Sequence, residues 1–461
     1  MRYPCLSMKR IACLLFADIM LLSSLACQAT PEEEAVVDRS DGGYEQVVLA
    51  TAEPGGEAAP VSHWEYPSHW TEDIAVNDSL TISVDCDVEL GEGMEHPVYQ
   101  IARRVIDGQF LYDAITAAWP DADGVREQQE SREELLERLA RIQRGAYMEG
   151  DSGAYWAPYE GQDEDIAEIQ TKLEETPAES TYVPFTRENL EVGEYRNFTV
   201  RTAGEQLITI EAYASSVKSN ISMHTCHFAN IQPEQWVLDG DAIPGETPHE
   251  LKNVNISEEE AIATADAVIA RLGSDDMQLA KAEKARCLND WDVISEGWSL
   301  TYTVAVPGTI PVYTAGYTAH VLFHAEEDYR ASWRQETITL YVTENGVEAF
   351  TWNNAYAMDG ILSGDVELLS FDKIQEIVAK QLKYGFSWME NPTSTGLGEQ
   401  VNITRVVLTT TTALLKDQRD VASLVPTWAI YYISTDEAKY HMDESLLLIN
   451  AIDGSMVIQV I

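Results

Sequence analysis

Twice along this chain the same local order appears, a capped amphipathic helix followed by alternating strands. Ser257 stands before Glu258-Glu259-Glu260. A serine N-cap with glutamate three residues on closes a capping box, and the acidic first turn suits the positive helix end. Ile262, Ala265, Val268, Ile269 and Leu272 then share one face, and Gly273 offers the left-handed conformation that ends a helix. Strand patterns follow at Ser299 to Val306 and at Thr337 to Val342, the second turning at Asn345-Gly346. Further on, Ser370 caps Phe371 to Leu382, with Ile374, Ile377, Val378 and Leu382 as its stripe and Gly385 at its end. Strand signals come next at Ile403 to Leu415, Pro426 to Ile433 and Leu446 to Ile452, before Asp453-Gly454 and a closing apolar run. A helix that buries one stripe needs a flat apolar partner, and alternating strands supply one. The fold class this predicts is α+β: two or three units, each a helix packed on an antiparallel sheet, with one unit over 256–356 and another over 370–461.

Residues 61–255 form a first α+β segment on the same reasoning. Leu80 to Val88 alternates strictly, Leu80, Ile82, Val84, Cys86 and Val88 against Thr81, Ser83, Asp85 and Asp87, the period of a half-buried strand. A second strand fits 97–106, and Phe110 to Trp119 reads as a short helix closed by Pro120. Leu135, Leu136, Leu139 and Ile142 mark an amphipathic helix over 132–142, and Ile166, Ile169 and Leu173 mark another. Alternation returns between Tyr195 and Phe228.

The N-terminus has a different logic. Arg2, Lys9 and Arg10 precede an apolar run from Ile11 to Ala26, broken by Asp18 and two serines. That is short for a bilayer span and right for a signal peptide, here residues 1–26. The run ends in Leu22-Ser23-Ser24-Leu25-Ala26-Cys27, which resembles the bacterial lipobox, so Cys27 is the expected lipid-attachment residue. Ser24 stands where a branched apolar residue is usual, and ordinary cleavage after Ala26 is the competing reading. Both predict export, either to the outer face of the cytoplasmic membrane or into the medium. Residues 27–60, with Glu32-Glu33-Glu34 and Pro54-Gly55-Gly56 and few large apolar side chains, read as a flexible tether. After Cys27 only Cys86, Cys226 and Cys287 remain, an odd set that suits small buried side chains rather than a disulfide framework.

With 77 Asp and Glu against 30 Lys and Arg, the chain carries a formal charge of −47. Such a surface repels phosphate backbones and excludes nucleic acid as a partner. It also repels anionic lipid, so membrane contact requires the N-terminal anchor.

The helix-then-strand stretches Ile256-Ser257-Glu258-Glu259-Glu260-Ala261 and Ile449-Asn450-Ala451-Ile452-Asp453-Gly454 resemble the PepSY domain, a small secreted module of one long helix on a few strands. More broadly the chain resembles an uncharacterised family of lipoproteins from Gram-positive gut bacteria, a domain of unknown function. The residues that carry this likeness are Cys27, Leu368-Leu369-Ser370-Phe371-Asp372-Lys373-Ile374, Val425-Pro426-Thr427-Trp428 and the Ile449 to Ser455 ending. The resemblance implies helix-on-sheet units and an envelope location. It brings no catalytic residues.

Chemical motifs are weak throughout. Gly150-Asp151-Ser152-Gly153 and Thr318-Ala319-His320 look like parts of a serine protease in the wrong chain order. His224-Thr225-Cys226-His227 puts at most two ligands on one side of a strand, and His320 and His324 lie far apart on an extended chain. Asp121-Ala122-Asp123-Gly124 and Asp239-Gly240-Asp241 lack the spacing of a calcium loop. No catalytic residue, metal ligand or cofactor is therefore assigned. Trp64, Tyr66 and Trp70, within the duplicated Ser-His-Trp, are the densest aromatic cluster and the candidate binding residues, set against a plain core role. The expected function is a secreted, surface-anchored lipoprotein acting as a non-catalytic binding or regulatory module toward cell-wall or envelope components. The alternative is a secreted, glycosidase-like hydrolase using paired carboxylates.

Overall fold

The computed structural model describes residues 43, 44, 46, 48, 65–76, 80–127, 132–150, 153–159, 161–176, 181–191, 193, 195–214, 219–225, 235–238, 254–289, 292–314, 329–387, 400–414, 421–434 and 445–459. In chain order the elements are β1 (His69–Ala75), β2 (Thr81–Glu89), β3 (Val98–Arg103), α1 (Gly108–Ala118), β4 (Ala122–Glu127), α2 (Arg132–Arg144), β5 (Ala146–Gly150), β6 (Gly153–Ala157), α3 (Gln162–Glu175) and β7 (Val183–Pro184). After a 3-10 turn at Arg187–Leu190 come β8 (Tyr195–Thr202), β9 (Leu207–Ala214), β10 (Ser219–Thr225), β11 (Gln235–Leu238), α4 (Glu258–Leu272), β12 (Met277–Asn289) and β13 (Asp292–Val304). The chain closes with β14 (Tyr329–Ser332), β15 (Thr337–Thr343), β16 (Gly346–Asn353), β17 (Tyr356–Ser363), α5 (Phe371–Ser387), β18 (Gln400–Leu414), β19 (Val421–Ser434), β20 (Ser445–Asn450) and β21 (Met456–Gln459).

Two large sheets hold most of these strands. The first runs β1-β2-β18-β19-β20-β21-β14, with β3 joining β19 to β17. The second runs β11-β12-β13-β15-β16-β10-β9-β8-β4-β7, and β5 and β6 pair separately. The α+β expectation of self-contained helix-on-sheet units is thereby overturned: the described chain is mostly β, and its sheets are woven from every segment. β2 lies parallel to β18, β3 pairs with both β17 and β19, and β10 pairs with β16. Strands assigned to 61–255, 256–356 and 370–461 thus share ladders across those boundaries. Local patterns specify that a strand forms and which face it buries; they do not specify its partner.

Helices form where the caps place them. Ser257 Oγ accepts from the Glu260 amide at 3.2 Å, Glu260 Oε2 accepts from the Ser257 amide at 3.2 Å, and Gly273 ends α4 at φ 65°. Ala261, Ala265, Val268 and Ile269 are buried against β13, β15 and β16, with α1 alongside. Asp107 caps α1, accepting from the Phe110 amide at 2.8 Å. On the first sheet, α5 buries Phe371, Ile374, Ile377, Val378 and Leu382, each large apolar side chain contributing about 1.5–3 kcal/mol in transfer terms. It continues to Ser387, past Gly385, because helix propensity at one glycine costs only about 1 kcal/mol.

The central strands of the first sheet are buried on both faces. Leu447 and Ile449 of β20 join the core under α5, while Leu446 and Leu448 join a second cluster with Val312, Val407 and Tyr431. That explains a run, Leu446 to Ile449, that does not alternate. Pro426, inside β19, falls where the strand changes partner: β3 pairs it up to Leu424 and β20 from Thr427, so no ladder donor is lost there. Two residues of the 27–60 segment are also structural. Tyr44 and Val48 are buried in the first core; the Tyr44 amide donates to Asp453 Oδ2 at 3.2 Å and its hydroxyl to the Ala413 carbonyl at 3.3 Å. A free tether therefore does not extend over these positions.

Candidate functional site

Tyr66 and Trp70 do not form a stacking platform. Trp70 is buried, edge-on to Phe371 at 5.8 Å, and its Nε1 donates to Glu72 at 3.1 Å. Tyr66 sits edge-on to Trp428 at 5.4 Å and donates to the Leu369 carbonyl at 3.2 Å. Both rings lock β1 and its approach onto α5, so the core role prevails. Trp64, Cys27, Ser152, Cys226, His227, His320 and His324 lie outside the described residues, as does the Asp239–Asp241 loop. His224 faces outward from β10, and its burial holds the imidazole below its ordinary pKa. Asp123 pairs with Arg201 at 3.0 Å, and Cys86 and Cys287 are buried thiols. Among the described residues no three His, Cys, Asp or Glu side chains gather as a metal site, and no helix is long and apolar enough to cross a membrane.

The outward face of the second sheet is the feature that local motifs did not announce. In Leu207 to Tyr213, Ile208, Ile210 and Ala212 point into the core, which leaves Thr209, Glu211 and Tyr213 outside. In Thr337 to Thr343, Ile338, Leu340 and Val342 are buried, which leaves Thr339 and Tyr341 outside. Register then aligns these outward residues across strands. Asn197, Glu211, Ser222, Thr351, Thr339 and Thr301 stand side by side from β8 to β13, and Lys281 of β12 ends the row. The next row is Thr199, Thr209, His224, Ala349, Tyr341 and Ser299, ended by Glu283. On the other side Tyr195, Tyr213, Asn220 and Asn353 align, with the two tyrosine rings 4.6 Å apart and Tyr195 half exposed.

β-Branched threonine fits a pleated strand well, so a threonine-rich face costs the sheet nothing in propensity. Adjacent strands lie about 4.8 Å apart, so each row is a regular line of hydroxyl and amide groups. Thr301 and Thr339 Oγ1 meet at 3.1 Å, and Asn197 Oδ1 is buried without a partner. Formal charge in these rows is confined to Glu211, Lys281 and Glu283, and Lys281 and Glu283 pair with each other at 2.8 Å. Thr199, Ser299, Thr301 and Ala349 are buried, so the accessible part of the rows is Asn197, Thr209, Glu211, Ser222, His224, Thr339, Tyr341 and Thr351, each partly exposed and, on a chain of −47, bearing one formal charge among them.

Carboxylate chemistry has a different location. Glu336 is buried, with Oε1 accepting from Trp352 Nε1 at 2.8 Å and from the Tyr356 amide at 2.9 Å. Burial pushes its carboxyl up to about 8. It faces a cavity of about 10 Å³ shared with Thr303, Gln335 and Thr410–Thr412, at the seam between the two sheets. That space is on the threshold of a single water and admits no sugar ring. A proton-holding carboxyl is present, but not where a glycosidic bond could reach it.

No family model and no curated protein matches the chain. Among solved structures it is similar to an uncharacterized protein from Eubacterium rectale ATCC 33656, at 12% identity over 91% of this chain and 99% of that one, with a TM-score of 0.41. Likeness of that degree carries no argument about activity.

Proposed function

We propose that the chain is an exported, lipid-anchored envelope protein that holds a neutral, extended glycan on the outward face of its second sheet and does no chemistry on it. The observation that carries this reading is the partly exposed row Asn197, Glu211, Ser222, Thr351 and Thr339, continuous across five strands. A line of hydroxyl and amide groups complements a ligand whose own surface is hydroxyl groups. The paired rings of Tyr195 and Tyr213 offer an apolar face against which a sugar ring can stack. Charge complementarity selects the occupant further, since the surrounding acids repel polyanions while the face itself is close to neutral. Each neutral hydrogen bond is worth only about 0.5–1.5 kcal/mol net, so useful affinity requires several strands to engage one polymer at once.

Affinity electrophoresis through gels containing neutral or anionic polysaccharides tests the reading. Retardation in at least one neutral glycan and free migration in the anionic ones is expected; free migration in every neutral glycan contradicts it. Attachment is tested separately by labelling with a fatty-acid analogue. Wild type should take the label and Cys27→Ala should not, and equal labelling would remove the lipid anchor from the proposal.

A further inference from the structure

Two crossings of the chain join the sheets at one place. Residues 333–336 lead from β14 of the first sheet to β15 of the second, and residues 354–355 lead from β16 of the second back to β17 of the first. Glu336 ties the two crossings together. Its Oε1 accepts both from Trp352 Nε1, on β16, and from the amide of Tyr356, the first residue of β17, while the Thr303 hydroxyl donates to its backbone carbonyl at 3.0 Å. The residue is 4% exposed, and the space beside it has room for one water at most. A carboxylate ionised there lacks its hydration, and two hydrogen-bond donors replace only part of it. Of the charges around it, Arg104 favours the ionised form and Asp276 opposes it, and Arg104 also donates to the Tyr356 carbonyl at 2.9 Å. Arg103 lies 4.6 Å over Trp333, Arg334 is exposed, and burial keeps the Tyr356 phenol neutral. The side chains that β13, β18 and β19 bring to the cavity, Thr303, Val304, Thr410–Thr412 and Leu424, carry no charge.

Ionisation of Glu336 therefore requires that something covering it move, and β17 is the element least held. Among the described residues its only ladder is to β3, with register shifts at Met358/Gly360 and Ile361/Ser363, and Met358 to Ile361 are all exposed. Few packed contacts along a strand mean a low cost of local opening. Asn354, just before it, has φ 54°, a left-handed conformation uncommon for a residue other than glycine, and Gly364 follows it with nothing near the position a Cβ would take. We infer that Tyr356–Ser363 is a proton-controlled flap: a protonated Glu336 keeps it down on the seam, and loss of that proton lets it swing about Asn354 and Gly364 so that water reaches the carboxylate while the rest of the fold stays closed. The sign follows from the two proton affinities. Covered, the carboxyl titrates at about 8; uncovered, it returns toward the ordinary 4.5. The closed flap is fully favoured below about 4.5, and the opening equilibrium rises by up to about tenfold per pH unit from there to about 8, then levels off. The flap uses none of the outward residues on which the glycan reading rests.

Hydrogen exchange of the full chain, read by mass spectrometry on a peptide spanning β17 and on one spanning β20, tests this. β20 lies inside the first sheet, between β19 and β21, and reports opening of the whole fold. Chemical exchange quickens with pH in both peptides alike, so the ratio of their rates isolates the flap. In wild type the ratio should rise between pH 6 and 8, by up to about tenfold per unit, and level off above. In Glu336→Gln, which keeps an acceptor for Trp352 and Tyr356 but has no proton to lose, it should stay flat. A wild-type ratio independent of pH overturns the inference whether or not the variant folds, since the two strands then open together or not at all. A folded Glu336→Gln variant whose ratio climbs as steeply as that of wild type overturns it as well.

Discussion

Glu336 makes stability depend on pH through one buried proton. In the folded chain its carboxyl is pushed from the ordinary 4.5 up to about 8 by burial, with the Tyr356 amide and Trp352 indole offsetting part of that cost. Arg104 pulls the value down and Asp276 pushes it up. Because the folded value is raised, the contribution is fully present below about 4.5 and is lost as pH climbs to about 8, after which it stays lost. At about 1.4 kcal/mol per tenfold change in proton affinity, the loss amounts to roughly 5 kcal/mol, a large share of a typical folding free energy. Glu336→Gln keeps an oxygen for the Trp352 and Tyr356 donors and replaces the titrating group with one that does not titrate. Urea unfolding at pH 5, 7 and 9, in enough salt to screen the general repulsion of a −47 chain, gives the comparison. Wild type should lose several kcal/mol more than the variant between pH 5 and 9. Parallel curves for the two proteins would refute the reasoning.

Three further outcomes follow from the cores and the surface. Gln381 is fully buried on the apolar stripe of α5 and neither end of its amide has a hydrogen-bond partner, so Gln381→Leu should raise the unfolding free energy by about 1–3 kcal/mol at unchanged urea dependence. Leu382 beside it is equally buried, and Leu382→Ala should lower the unfolding free energy by about 2–5 kcal/mol in the same assay. His69 bridges Asp87 at 3.0 Å and Asp85 at 2.8 Å, which raise its pKa; its favourable interaction is complete below the ordinary histidine range and fades as pH rises through the raised value. Proton NMR titration should show Asp87→Asn returning the ring toward its ordinary value.

Legibility divided along physical lines. The capping box at Ser257 and the glycine stop at Gly273 are interactions within a few residues and are where the sequence places them, while the hairpin expected to turn at Asn345-Gly346 turns one residue earlier, at Glu344-Asn345, with Gly346 already paired to Thr343. The pairing of β2 with β18, more than 300 residues away, depends on contacts such as the two-pronged Arg405 to Glu89 bond, at 2.6 and 2.8 Å, that leave no local trace. The tether reading at Tyr44 failed for a related reason: one aromatic in a polar stretch reads as incidental until a distant turn, Asp453-Gly454, supplies its acceptor. That turn itself is tight, since Gly454 has φ 77° and a Cβ there would come within 2.4 Å of Ile377 Cδ1. Aromatic density at Tyr66 and Trp70 suggested ligand stacking, but density alone does not distinguish a platform from a core. The hydroxyl rows were half visible. Alternation in Leu207 to Tyr213 and Thr337 to Thr343 states which residues face outward, while the alignment of those residues into one line exists only in the register.

The central claim is that this line is a glycan-binding surface, and charge placed in its middle tests it most directly. Ser222 and Thr351 are cross-strand neighbours on β10 and β16, both partly exposed on the outward face. Ser222→Glu combined with Thr351→Glu leaves the inward residues Ile221, Met223, Phe350 and Trp352 untouched. Glu211 already stands opposite Ser222, so the variant lines up three carboxylates, and each of the two like-charge pairs costs the sheet about 0.2–1 kcal/mol, small enough for the fold to survive. In affinity electrophoresis with a neutral glycan that retards wild type, this variant should migrate freely while its thermal unfolding shifts by only a few degrees. A folded double variant that is retarded as strongly as wild type would contradict it.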